Sequence, residues 1–197
     1  YVTKSWIEKF KIGNDIAINK VNKNELQRIS SLKTASDVLA VVYIPLEKNN
    51  FDFSGINIVL DDVKDPGNLG TIIRICDWFG VKNIYCSQET VDMYNPKVVQ
   101  STMGSITRVN VIYTDIKKMI QDMDINVKVY AAVMDGNDIN QIEVDENSLI
   151  IFGNESNGIS EEIKNVVFEK LTINKIGEAE SLNVAVSLAI ILNKFCN

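Results

Sequence analysis

The sequence predicts an α/β fold, with a mostly parallel sheet covered by helices on both faces, preceded by part of a smaller α/β module. Three observations lead there. From about residue 56 onward, apolar runs of strand length alternate with stretches of helical periodicity. A chain of 197 residues that is 46% hydrophobic and 23% charged can bury one substantial core with a little left over. A polar stretch punctuated by Pro and Gly, PLEKNNFDFSG at 45–55, separates the two parts.

Residues 1–45 carry short elements: a helix near 5–11, a second near 23–31 capped by Asn22 or Asn24, and a strand at 38–44. Opening on YVTKSW, this part reads as the back half of a small module, with 46–55 as the linker and 56–197 as the main domain. In the main domain the expected strands are 56–60, 83–86, 109–113, 127–133, 149–152 and 168–173. The expected helices are 69–79, 96–102, 115–123, 161–166 and 182–195. Between the first strand and helix, Asp65-Pro66-Gly67-Asn68 is turn chemistry, with Asn68 as the expected N-cap. On that helix Ile72, Ile75, Cys76 and Phe79 gather on one side. Arg74 lies on the other with Thr71 and Trp78, one turn beyond Gly70, whose missing side chain would leave room for a ligand. The last helix is apolar nearly all round from Leu182 to Leu192, so one face covers the sheet and the other needs a second surface, either a subunit interface or more of the same monomer.

Composition removes several chemistries. There is no His, and with it go the usual general base and every Ser-His or Cys-His dyad. Cys76, Cys86 and Cys196 are widely spaced in apolar surroundings, which suits reduced, buried thiols in a cytoplasmic protein better than disulfides or a zinc site. Asp61, Asp62 and Asp65 lack a calcium-loop pattern, and no metal is expected. No uncharged apolar stretch reaches membrane-spanning length, and the N-terminus lacks a signal-peptide layout. Net charge is −6, but residues 1–50 balance at +3 and the rest at −9, so the first part is the better candidate for touching a polyanion.

Ligands of open α/β sheets bind at loops leaving strand ends. The second such loop, FGNESNGIS at 152–160, has two glycines five apart. It lacks the Lys-Ser/Thr pair of a phosphate loop, and Glu155 inside it would repel phosphate and suit a cation. Ser160 is an ordinary N-cap there, with Glu161 and Glu162 favouring the helix dipole. The third loop, INKIGEAESLN at 173–183, offers Ser181 as an N-cap and Asn183 in the first turn. No G-x-G-x-x-G occurs, so a dinucleotide site is unsupported.

Taken in order, DPGNLGTIIR, IIFGNESNGIS and GEAESLNVAVSLAI resemble the three motifs of the SpoU-type (TrmH-like) RNA 2′-O-ribose methyltransferases of the SPOUT class, over about residues 56–197. Residues 1–45 resemble the remainder of the L30-like RNA-binding domain that rRNA-acting members carry. The resemblance implies a parallel sheet with a C-terminal trefoil knot, S-adenosyl-L-methionine as methyl donor, and a homodimer through the last helix. By position, Gly153, Ile173, Ile176, Gly177 and Leu182 would bind the donor, largely through main-chain groups. Asn68, Arg74, Glu155, Ser181 and Asn183 fall on the family's motif residues.

The implied reaction needs a ribose hydroxyl to lose a proton with no His to take it. Arg74 stays protonated, so it reads as an electrostatic clamp on a phosphate and on developing alkoxide charge, the competing reading being a surface Arg paired with Asp77. Asn68 and Ser181 would shape the acceptor site, and Glu155 would order the loops or face the cationic donor. One departure is plain: where the family's third motif carries Ile-Pro-Met, this chain has Ile173-Asn174-Lys175, losing a proline that stiffens the loop. The expected substrate is large-subunit rRNA, with tRNA second, and a non-catalytic assembly factor as the alternative class.

Overall fold

The computed structural model describes residues 1–13, 16–45, 51–124 and 126–196. The chain divides into two compact units, Tyr1–Glu47 and Lys48–Asn197. Residues 46–50, the first half of the expected linker, lie outside the described residues.

In the first unit, helix α1 is Lys4–Ile7 and helix α2 is Lys23–Ile29. Asn22 caps α2 in a full capping box: its side chain accepts from the Glu25 N–H, and the Glu25 carboxylate accepts from the Asn22 N–H. The main chain gathers around Val2, which bridges Lys20 on one side and Val38 on the other, while Leu26 is buried from α2. The expected strand at 38–44 does not form. Val38 meets Val2 in a single bridge, and residues 41–44 are exposed, Tyr43 completely, with no strand beside them among the described residues. Strand propensity needs a ladder partner before it becomes a strand.

In the second unit the strands are β1 (Ile56–Leu60), β2 (Asn83–Cys86), β3 (Asn110–Tyr113), β4 (Lys128–Asp138), β5 (Ser148–Phe152) and β6 (Glu169–Thr172). They form one sheet in the order β3-β2-β1-β5-β4-β6, every pair parallel. The helices are α3 (Pro66–Phe79), α4 (Pro96–Ser101), α5 (Ile116–Asp122), α6 (Glu161–Lys164) and α7 (Val184–Phe195). Alternation along the strands sends side chains to two cores. Ile58, Leu60, Ile150 and Phe152 meet α3, α4 and α7 through Ile72, Cys76, Val98, Leu188 and Leu192. Val59, Leu149 and Ile151 meet α5 and α6 through Ile116, Met119 and Ile163. Both faces are therefore covered, as a parallel sheet requires.

Two helix starts differ from expectation. Asp65, not Asn68, caps α3, accepting from the Asn68 N–H at 2.8 Å, and Pro66 occupies the first turn where its missing N–H costs nothing. Asn183, not Ser181, caps α7, its Oδ1 accepting from the N–H groups of Ala185 and Val186. Ser160 does hold the cap position of α6, though its hydroxyl makes no capping bond.

Gly70 is also not ligand space. A methyl there would lie 2.4 Å from Ser101 Cβ and 2.7 Å from the Val98 carbonyl, so the missing side chain lets α3 and α4 approach. Gly70→Ala is expected to lower stability by about 1–3 kcal/mol, the usual cost of overpacking, read as a shifted urea midpoint.

Candidate functional site

β1 and β5 are neighbours in parallel register, Leu60 opposite Phe152, so the loops after them leave the same end of the sheet side by side. The pair is stitched together at once. The Asp61 N–H donates to the Phe152 carbonyl at 2.9 Å, the buried Asp61 carboxylate accepts from the Ser160 N–H at 2.7 Å, and the Asn154 amide donates to the Asp62 carbonyl at 2.8 Å. Within the second loop the main chains of Asn154 and Gly158 bond to each other in both directions, while Asn154 Oδ1 accepts from the N–H groups of Ser156 and Asn157. Closing so tightly leaves no space at Gly153, where a Cβ would sit 2.1–2.4 Å from the main chain of Gly158 and Ile159. Gly153 is thus a packing requirement of the turn.

That turn holds Glu155 at its tip. The carboxylate accepts from the Asn68 amide at 2.8 Å, with longer contacts from the N–H groups of Lys64 and Asp65 at 3.5 and 3.4 Å. Asn68 in turn accepts through Oδ1 from the Asn183 amide at 2.9 Å. A continuous chain, Asn183 to Asn68 to Glu155, therefore joins the third, first and second loops. Because Asp65 performs the capping, the Asn68 side chain is free for this. The Asp-Pro pair at 65–66 is itself the signature of a cap followed by a first-turn proline and was the signal available in the sequence.

Arg74 stands two turns further along α3, on the exposed face with Thr71 and Trp78, the last of these 83% exposed. Among the described residues it has no hydrogen-bond or ion-pair partner. The Asp77 pairing considered from the sequence is absent, because Asp77 is held by Arg108 at 2.6 Å and by the Ser105 hydroxyl at 2.7 Å. These bonds, Arg108 first, hold the Asp77 carboxyl below the usual carboxylate range.

The third loop is built differently. Among the described residues, residues 174–182 make no main-chain hydrogen bond, and Ile176, Gly177 and Ser181 are exposed, with Leu182 half exposed. Ile173 packs on the core, and the Asn174 amide donates to Asp138 Oδ2 at 2.5 Å, so a side-chain tether stands where a proline would have stiffened the loop. Gly153, Asn68, Glu155 and Asn183 are thus brought together, while Ser181, Ile176 and Gly177 are near in sequence but unattached. A groove of about 450 Å³ runs between α3 and α7, polar at Asn68 and Asn183 and apolar along Ile75, Ala185, Val186 and Ile190.

The protein-family model described as the SpoU rRNA methylase family matches residues 55–193. The chain belongs to the SpoU rRNA methylase family. Over 174 residues it is 30% identical to the 23S rRNA (guanosine(2553)-2′-O)-methyltransferase RlmP of Bacillus subtilis, covering 87% of this chain and 69% of that one. A TrmH-family protein from Porphyromonas gingivalis has a structure that superposes with a TM-score of 0.88 at 29% identity, covering 98% of this chain and 80% of the other. An AdoMet-bound rRNA methyltransferase from Sinorhizobium meliloti superposes at 0.77 and 29% identity, over 89% and 69% of the two chains. The parallel α/β sheet expected from the sequence is therefore also the architecture of SpoU-family structures.

Burial pushes the Cys76 and Cys86 thiols far up, away from the reactive thiolate. Among the described residues, no group of three acidic, Cys or His side chains is placed to hold a metal, and no helix is long and apolar enough to cross a membrane.

The Asn68–Glu155 bond can be weighed by a double-mutant cycle in urea between Asn68→Ala and Glu155→Ala. The expected coupling is about 1 kcal/mol, and a value indistinguishable from zero would mean the loops are not clamped there in solution.

Proposed function

We propose that this SpoU-family chain transfers a methyl group from S-adenosyl-L-methionine to a ribose 2′-hydroxyl of large-subunit rRNA. The observation that carries this reading is the hydrogen-bonded chain Asn183–Asn68–Glu155, with Arg74 two turns further along α3 and unpaired among the described residues. Three loops distant in sequence meet in polar contact, and the one cation on the exposed face of α3 is left without an internal partner. The RlmP relative, an rRNA enzyme aligned over 87% of this chain, favours rRNA over tRNA.

The donor fits what the third loop offers. Among the described residues, the nine consecutive residues 174–182 keep their main-chain N–H and C=O groups unspent, and the space around Gly177 is open. With the Gly153 turn, Ile173 and Leu182, this stretch would hold the nucleoside through main-chain groups. S-adenosyl-L-methionine supplies a methyl carbon made electrophilic by its positively charged sulfur. The chain's part is to hold, orient and stabilise. The Glu155 carboxylate, which faces the first loop, would compensate that positive charge while fixing Asn68. Asn68 and Asn183 share one hydrogen bond and keep further donor and acceptor capacity for the ribose. Alignment of two held reactants is worth up to about 7–11 kcal/mol in the best intramolecular cases, enough to be the main contribution.

Arg74 presents a planar guanidinium with a fork of N–H donors. It binds the phosphate next to the target ribose and stabilises negative charge as it develops on the 2′-oxygen. None of Asn68, Ser181 and Asn183 is a base, and the Glu155 carboxylate is engaged by the Asn68 amide, so the hydroxyl proton leaves to that phosphate or to water. Ser181, exposed and unbonded, is available to the acceptor nucleotide.

The reading extends to assembly. The outer face of α7 keeps Val186 and Ile190 exposed next to the groove that ends at Asn68 and Asn183, and a second copy packed there would bury it and complete the wall of the site. The first unit, the more basic part by sequence, is taken as the remainder of an L30-like RNA-binding domain. A trefoil threading of the C-terminal segment and a cytoplasmic location belong to the same proposal.

The decisive test is tritium transfer from labelled donor to rRNA from a strain lacking the gene, beside calorimetric donor binding. Arg74→Ala should reduce transfer at least a hundredfold, roughly 2.7 kcal/mol of lost transition-state stabilisation, with dimer mass and donor affinity nearly unchanged. Donor binding with no transfer to any RNA would instead favour an assembly factor. Asn183→Ala should slow turnover far more than it lowers the melting temperature, since its cap bonds are worth only about 1 kcal/mol.

A further inference from the structure

Asp77 lies three residues beyond Arg74 on α3, a spacing at which a carboxylate and a guanidinium meet on a helix surface. An Arg74–Asp77 pair would be the default. It would also be self-defeating for a group meant to grip RNA phosphate, because the carboxylate would compete for the same fork of donors. The structure shows the default overridden. Arg108, just after the short turn Ser105–Thr107, places Nε 3.0 Å from both Asp77 oxygens and Nη2 2.6 Å from Oδ2. The Ser105 hydroxyl adds a third donor at 2.7 Å. Planar guanidinium against carboxylate is a strong and geometrically selective arrangement. The Asp77 side chain is mostly covered, at 23% exposure, while Arg108 remains 57% exposed. Arg108 therefore orients the acid more than it is buried by it. Asp77 is fully engaged, and Arg74 is left free.

We propose that Arg108, with Ser105, is a positioning residue that sequesters Asp77 and so keeps the Arg74 guanidinium available to the RNA. This rests on Arg74 being the phosphate-binding group. With Arg108 removed, Asp77 keeps its charge, loses its strongest partner, and turns to the nearest other guanidinium on its own helix. Arg74 must then break that bond before it can hold a phosphate. The loss falls on RNA engagement and turnover and leaves donor binding alone, since no donor-facing residue is disturbed.

The distinguishing experiment compares Arg108→Ala, Asp77→Asn and the double variant in the full chain, with rRNA from the deletion strain as substrate. R108A is expected to lower kcat/KM for RNA by about tenfold or more, D77N to stay within about threefold of the unsubstituted chain, and the double variant to return to the D77N level. A bridge that only braces the fold predicts the reverse: similar losses in both single variants and no recovery in the double, which would overturn the proposal. R108Q replaces R108A should thermal melts show that R108A does not fold at the assay temperature. A second readout does not depend on catalysis. In protein labelled with ¹⁵N-arginine, the Arg74 Nε–H resonance, assigned with R74K, should move in R108A and move back in the double variant. An unmoved resonance in folded R108A overturns the sequestration. A chain inert on every RNA whose Arg74 resonance nevertheless shifts and returns supports the sequestration and counts against methyl transfer, so the two ideas fail separately.

Discussion

Everything at the candidate site depends on the two hydrogen bonds that the Asn68 side chain makes, one given to Glu155 and one received from Asn183. An amide is the group for this position because it donates and accepts at once. A carboxylate could not serve Glu155, and an ammonium could not serve Asn183. Neither bond would be geometrically possible without the parallel pairing of β1 with β5, which sets the first two loops side by side, or without α7 returning along α3 to bring the third. The sheet supplies proximity and the amide converts it into a fixed arrangement.

The chemistry around that amide is sparing. The chain has no His, its two most buried thiols are silenced by burial, and the side chains gathered at the junction are amides and one carboxylate. Such a set is poorly equipped to move protons and well equipped to hold polar ligands still. Positioning and electrostatics are what it can contribute, and they are among the largest contributions available to any enzyme.

Much of this was legible in the sequence. The alternation of apolar runs predicts all six strands and five helices of the larger unit, because a sheet buried on both faces writes itself as continuous hydrophobic stretches. The largest miss is β4, which runs five residues past the expected 133 through a polar segment to Asp138. The last helix's surplus of apolar surface was likewise visible. What was not legible were the roles of polar residues with two or more suitors. Asn68 and Ser181 both look like caps, since asparagine and serine favour that position locally, but α3 starts earlier, at Pro66, and α7 later, at Val184, which puts Asp65 and Asn183 in the cap positions. Asp77 looks like a partner for Arg74 by helical spacing, and a distant arginine takes it. Gly70 looks like room for a ligand and is a contact between helices. The strand expected at 38–44 fails for the same reason: propensity is local, whereas pairing is settled by what arrives from elsewhere in the chain.

The third loop has a consequence for how this family can be traced. If the donor is held there by main-chain groups, as proposed, the surface places almost no demand on which amino acids carry it. In the proposed site, residues 174–182 would tolerate substitution so long as the chain keeps its path, which the Asn174 tether to Asp138 helps to hold. Divergence in this stretch is therefore a poor measure of lost ligand recognition. Chains that look eroded there can retain the same cradle in full.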